Sequence, residues 1–123
     1  MIIYTDGACS ANGSATAVGG FGIVVLDDDE NLITTHHEQV KNTTNNRMEI
    51  SACIAALRYI LKYQPQFNCV EIITDSQYVV KSMTENWRKL KNTDLWSALA
   101  YLCSLGWKIT WTWIKGHASN PYN

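Results

Sequence analysis

The sequence predicts an α/β domain built as a mixed sheet with helices packed on it. The first forty residues hold three β-type runs joined by short connections, the pattern of an antiparallel meander. A long helical run rich in Ala, Leu and Ile follows. Beyond it, β-branched runs alternate with helical ones, so the strands flanked by helix crossovers should run parallel to their neighbour. The element order reads β-β-β-α-β-α-α-β.

Met1–Asp6 (MIIYTD) is a short apolar strand ending in an acid, with Ile2, Tyr4 and Asp6 on one face by the period of two. Gly7–Gly20, rich in Gly, Ala, Ser and Asn, reads as a loop. A second strand lies near Gly20–Leu26, an acidic turn over Asp27–Asn31, and a third strand over Leu32–Val40. Thr43–Tyr63 opens with the cap-forming residues Thr43, Thr44, Asn45 and Asn46, then continues as the central helix, closed by Gln64-Pro65. On a wheel at about 100° per residue, Arg47, Ser51, Arg58 and Lys62 share the solvated side. Glu49 falls opposite them, in line with Cys53, Ala56 and Ile60.

Cys69–Thr74 (CVEIIT) is a strand, and Asp75-Ser76 opens a helix that carries Tyr78, Val79 and Met83 and fades over Thr84–Asn92. Asn92 or Thr93 caps a further helix, DLWSALAYLCSL, ending at Gly106. Lys108–Lys115 (KITWTWIK) is the last strand, and Gly116–Asn123 a polar tail.

At 123 residues the chain fits one domain, 1–123, with no room for a second. Apolar residues make up 46% and charged residues 17%, which excludes a disordered or low-complexity chain. A net charge of −1 means that any nucleic-acid footprint must be local. Cys9, Cys53, Cys69 and Cys103 lack C-x-x-C spacing and read as small core residues in a reducing compartment, not as a zinc site or disulfide framework. Without a signal peptide or a bilayer-length apolar run, the expectation is a soluble cytoplasmic protein that does not engage a membrane.

Three acids line up by position. Asp6 ends the first strand, Glu49 sits in the first turn of the central helix facing inward, and Asp75 ends the fourth strand. If the first and fourth strands are adjacent and parallel, Asp6 and Asp75 lie side by side in the crevice beyond the strand ends, where open α/β sheets place their sites. Three carboxylates near one point repel each other unless cations hold them, and oxygen-only ligands favour Mg²⁺ or Mn²⁺. Taken singly, each has a plainer role: Glu49 in a capping box with Asn46, Asp75 as an N-cap, Asp6 as a turn residue. Their joint placement favours the metal site.

Four blocks carry a family resemblance: Y-T-D-G-A-C at Tyr4–Cys9, T-N-N-R-M-E at Thr44–Glu49, T-D-S-Q-Y-V at Thr74–Val79 and W-I-K-G-H-A at Trp113–Ala118. In that order they resemble the signature blocks of type 1 ribonuclease H and span nearly the whole chain. The resemblance implies a sheet of order 3-2-1-4-5 and an endonuclease that cuts the RNA strand of an RNA–DNA hybrid, leaving 5′-phosphate and 3′-hydroxyl ends. Two metal ions, about 4 Å apart, would serve the attacking water and the leaving 3′-oxygen. Asp6, Glu49 and Asp75 match metal-binding carboxylates. His117 matches a loop histidine that assists water activation or product release; alone it would read as a solvated loop histidine. Asn12, Asn45, Asn46 and Gln77 match residues that read the minor groove and 2′-hydroxyls, Cys9 supplies backbone contacts, and Thr44 would hold a DNA phosphate. Plain loop and cap chemistry is the alternative for these, above all for Asn12 and Thr44.

Two departures from the family pattern stand out. The family's fourth carboxylate lies a few residues beyond the Gly-His-Ala loop, at the start of a last helix. This sequence reaches Asn123 first, with Asn120, Pro121 and Tyr122 continuing the loop pattern, so the expectation is a weakened metal position and a slower reaction. The family's extra basic helix and loop is reduced here to TENWRKLKNTD, with Trp87, Arg88, Lys89 and Lys91, which predicts modest, salt-sensitive affinity. The competing classes are a DNA-acting nuclease of the same fold and a weakly active or inactive hybrid-binding or reverse-transcriptase-associated module.

Overall fold

The computed structural model describes residues 1–10, 12, 15–66, 68–85 and 89–116. Its strands are β1 (Ile2–Ser10), β2 (Val18–Leu26), β3 (Leu32–Lys41), β4 (Cys69–Thr74) and β5 (Lys108–Trp113); its helices are α1 (Asn45–Tyr63), α2 (Gln77–Thr84) and α3 (Thr93–Cys103). They form one five-stranded sheet of order β3-β2-β1-β4-β5, as the resemblance implies. β1, β2 and β3 pair antiparallel; β4 runs parallel to both β1 and β5.

The core follows from the helix periodicity. Ile50, Cys53, Leu57 and Ile60 on α1 are fully buried against Ile3, Ile23, Val25 and Ile72 of the sheet, and Leu99 and Leu102 of α3 close the layer. Each such side chain contributes roughly 1.5–3 kcal/mol by leaving water. The other sheet face holds a smaller cluster of Tyr4, Leu26 and Ile73. α1 packs on β1 and β2, so β3 stands out as a largely exposed edge.

The first strand runs farther than the sequence pattern suggests. Asp6 does not end it: β1 continues to Ser10, pairing Gly7 with Phe21 and Ser10 with Val18. Small polar residues made this stretch look like a loop, but backbone pairing with β2, not side-chain polarity, defines a strand. α3 ends at Cys103, short of Gly106, and β5 ends at Trp113. Of the four cysteines, all free, only Cys53 is buried, and Cys69 is exposed at the start of β4.

Arg47 is not simply solvated. It forms a forked ion pair with Asp94 of α3, at 3.0 and 2.8 Å, and a 3.3 Å bond to the Asn92 side chain. Asn92 precedes α3 with a left-handed backbone, and its side chain accepts no capping hydrogen bond. Lys89 lies against the Trp96 ring and donates to the Ser82 carbonyl at 2.9 Å, so it is not a free phosphate ligand. Trp87 and Arg88 lie outside the described residues.

Gly7 sets how closely α1 approaches the sheet. A Cβ there would lie 2.6 Å from the backbone of both Met48 and Glu49. Gly7→Ala should therefore push the first turn of α1 off β1, destabilising the fold by about 2 kcal/mol or more and lowering Tm in a thermal melt.

Candidate active site

Parallel pairing of β1 with β4 ends at Thr5 opposite Thr74, so Asp6 and Asp75 follow at the same level. Asp6 stays paired, opposite Gly22 of β2, and so is not a turn residue. Beyond Asp75 the chain turns into α2, and Ser76, not Asp75, is the N-cap: its hydroxyl accepts from the Val79 amide at 3.1 Å. The Ser76 amide donates to Thr74 Oγ1 at 3.1 Å, and Trp113 Nε1 donates to the Asp75 carbonyl at 3.0 Å. These bonds hold the Asp75 backbone without using its carboxylate.

Glu49 arrives from above. Thr44 caps α1, its hydroxyl accepting from the Arg47 amide at 3.2 Å. Asn46 thus lies inside the helix, and a capping box between Asn46 and Glu49 does not form. Glu49 is instead 7% exposed, and its Oε1 is buried without a hydrogen-bond partner. One carboxylate oxygen from each of Asp6, Glu49 and Asp75 lies within 4.8 Å of the others. Burial, then the charges of Asp75 and Asp6, push the Glu49 carboxyl up to about 8; the Gly7 amide and Ser76 hydroxyl offset this only in part. Oxygen-only donors, mutual repulsion and an unpartnered buried oxygen together suit a hard divalent cation.

The loop after β5 closes on this cluster. A Cβ on Gly116 would lie 2.6 Å from Asp75 Oδ2, so any side chain there must displace the Asp75 carboxylate. Neither Gly7 nor Gly116 was singled out in the sequence, although each sits inside a quoted block. The next residue, His117, lies outside the described residues.

The proposed substrate residues gather around the start of α1. The Asn45 amide donates to Asn12 Oδ1 at 2.8 Å, tying the β1–β2 connection to the helix, and Cys9 Sγ contacts the Thr43 carbonyl at 3.4 Å. Asn12, Asn45 and Asn46 are exposed, whereas Thr44 is half-buried by its capping role. Gln77, exposed, begins α2 two residues after Asp75.

The RNase H family model matches residues 1–123. The chain belongs to the RNase H family. That family is one of metal-dependent endoribonucleases, and Asp6, Glu49 and Asp75 form an acidic triad in this chain. The ribonuclease H of Saccharopolyspora erythraea is 39% identical over 98% of this chain and 81% of its own length. The ribonuclease H of Thiobacillus denitrificans is 40% identical over 100% of this chain and 85% of its own. Among solved structures, RNase H1 from Halobacterium salinarum superposes with a TM-score of 0.76 at 26% identity, covering 94% of this chain and 85% of that one. LC11-RNase H1 in complex with RNA/DNA hybrid has a TM-score of 0.81 at 24% identity, over 94% and 85%. No described helix is long and apolar enough to cross a membrane.

Two outcomes follow from this geometry. An unfolded Glu49 ionises near 4.5, the folded metal-free one only near 8. Metal-free stability should therefore fall as pH rises through that window and level off above it. Melts in EDTA should show this decline, and Glu49→Gln or saturating Mg²⁺ should flatten it. Gly116→Ala should leave folding intact, because the Asp75 carboxylate can turn aside, yet weaken Mg²⁺ binding by about tenfold in calorimetry.

Proposed function

We propose that this chain hydrolyses the RNA strand of RNA–DNA hybrids, leaving 5′-phosphate and 3′-hydroxyl ends. The observation that carries this reading is the Asp6–Glu49–Asp75 cluster, with its unpartnered Glu49 oxygen, in a chain of the RNase H family. Asp6, Glu49 and Asp75 would hold two Mg²⁺ or Mn²⁺ ions. When bound, such ions supply Lewis-acid polarisation and charge stabilisation on the attacking and leaving sides of the scissile phosphate.

The protein's own groups do the rest. Glu49 gives up its raised proton as the site fills, which links cation binding to pH. Strand register brings the Asp6 and Asp75 backbones to the same level, so only side chains need adjust on binding. Asn45, Asn46 and Gln77 stand in the first turns of α1 and α2, where the positive end of the helix dipole favours phosphate. Asn12 joins them in reading the minor groove, and side chains that require a 2′-hydroxyl partner reject DNA in the RNA position. Thr44 would contact a DNA phosphate and the Cys9 backbone the substrate. His117 would assist water activation or product release. A related fold binding RNA/DNA hybrid supports the substrate class, and the reaction belongs to the cytoplasm.

Labelled RNA–DNA hybrid in Mg²⁺ or Mn²⁺ should be cut in its RNA strand, whereas single- and double-stranded RNA and DNA persist. Asp6→Asn should reduce the rate at least on the order of a hundredfold. Cleavage of double-stranded DNA, or hybrid cleavage untouched in Asp6→Asn, would overturn the assignment.

A further inference from the structure

β3 forms one edge of the sheet and overhangs the flank of α1, which packs on β1 and β2. Between β3 and the C-terminal half of α1 lies an open groove of about 500 Å³. Its apolar lining comes from Ile23 and Ala55, its α1 wall from Arg58, Tyr59, Lys62 and Tyr63, and its strand wall runs from Thr34 to Glu38. At about 1.5 Å per residue, Arg58 and Lys62 lie roughly 14 and 20 Å along α1 from Glu49. The groove is thus remote from the carboxylate cluster.

Its charge is lopsided. Arg58 and Lys62 are exposed on the same helix face, and neither forms an ion pair among the described residues. The one acid facing them, Glu38, lies 3.5 Å from His36. Beside these cations run the open backbone donors and acceptors of an edge strand, which readily take up another extended chain. The rings are less suited to stacking a base: Tyr63 packs on Tyr59 at 5.0 Å, with the Lys62 ammonium over it at 5.1 Å.

We propose that the β3–α1 groove is a docking site for an extended acidic peptide segment of a partner protein, added as a sixth strand on β3. Its alternate carboxylates, on the sheet face that carries α1, would meet Arg58 and Lys62, while the intervening side chains would lie on the opposite face of the sheet.

The test uses the full chain, ¹⁵N-labelled and with Mg²⁺, titrated with a short peptide alternating aspartate and valine. Amide shifts should concentrate in residues 34–39 and 55–63. The double variant Arg58→Glu/Lys62→Glu should bind about tenfold more weakly while retaining its melt and its hybrid cleavage. N-methylating alternate peptide nitrogens along the pairing edge should abolish binding with every side chain kept. The proposal is overturned if the peptide moves no amide in the groove, if a lysine-for-aspartate peptide binds as well, or if the N-methylated peptide binds unchanged. Groove shifts produced by oligothymidylate but not by the peptide would overturn it in favour of a nucleic-acid flank.

Discussion

Everything at the catalytic end depends on where one pairing stops. β1 and β4 run side by side as far as Thr5 and Thr74, and the next residue on each is an aspartate. Had the two strands slipped by one residue, one carboxylate would have turned to the opposite face. The register is locked by the apolar residues behind it, Ile3 and Ile72 above all, both fully buried. Core packing and ligand placement are therefore one decision in this fold.

Glu49 adds the third carboxylate at an electrostatic penalty that the metal-free chain relieves by keeping it protonated until the pH nears 8. It could be placed elsewhere on α1 without loss to the core, since Cys53, Ala56, Leu57 and Ile60 already anchor the helix. Its burial against two acids raises its pKa and makes the cluster suited to a divalent cation. Gly7 permits the approach from below, and the Arg47–Asp94 fork steadies the same first turn from the side. Gly7 and Arg47 each sit within two residues of an acid of the cluster in the sequence.

Much of this was legible beforehand because it rests on periodicity. A period of two placed Asp6 relative to Tyr4, and a period of 3.6 turned Glu49 toward Cys53 and Ile60. What stayed hidden rests on contacts between distant segments. The length of β1 depends on β2 choosing to pair with it through Gly19 and Gly20. Arg47 looked solvated because its partner, Asp94, is 47 residues away. Gly116 carries no side chain to announce that it lies against Asp75. Cys69 looked like core because it opens an apolar run, but a strand's first residue can protrude past the helices that cover it.

The indole of Trp113 has a consequence of another kind. It is 44% exposed and hydrogen-bonded to the main chain of Asp75. An exposed indole emits according to the polarity and charge around it, and this one is fastened to the backbone of a residue of the acidic cluster. Trp113 thus stands as an intrinsic optical reporter placed beside that cluster, one that requires no added dye.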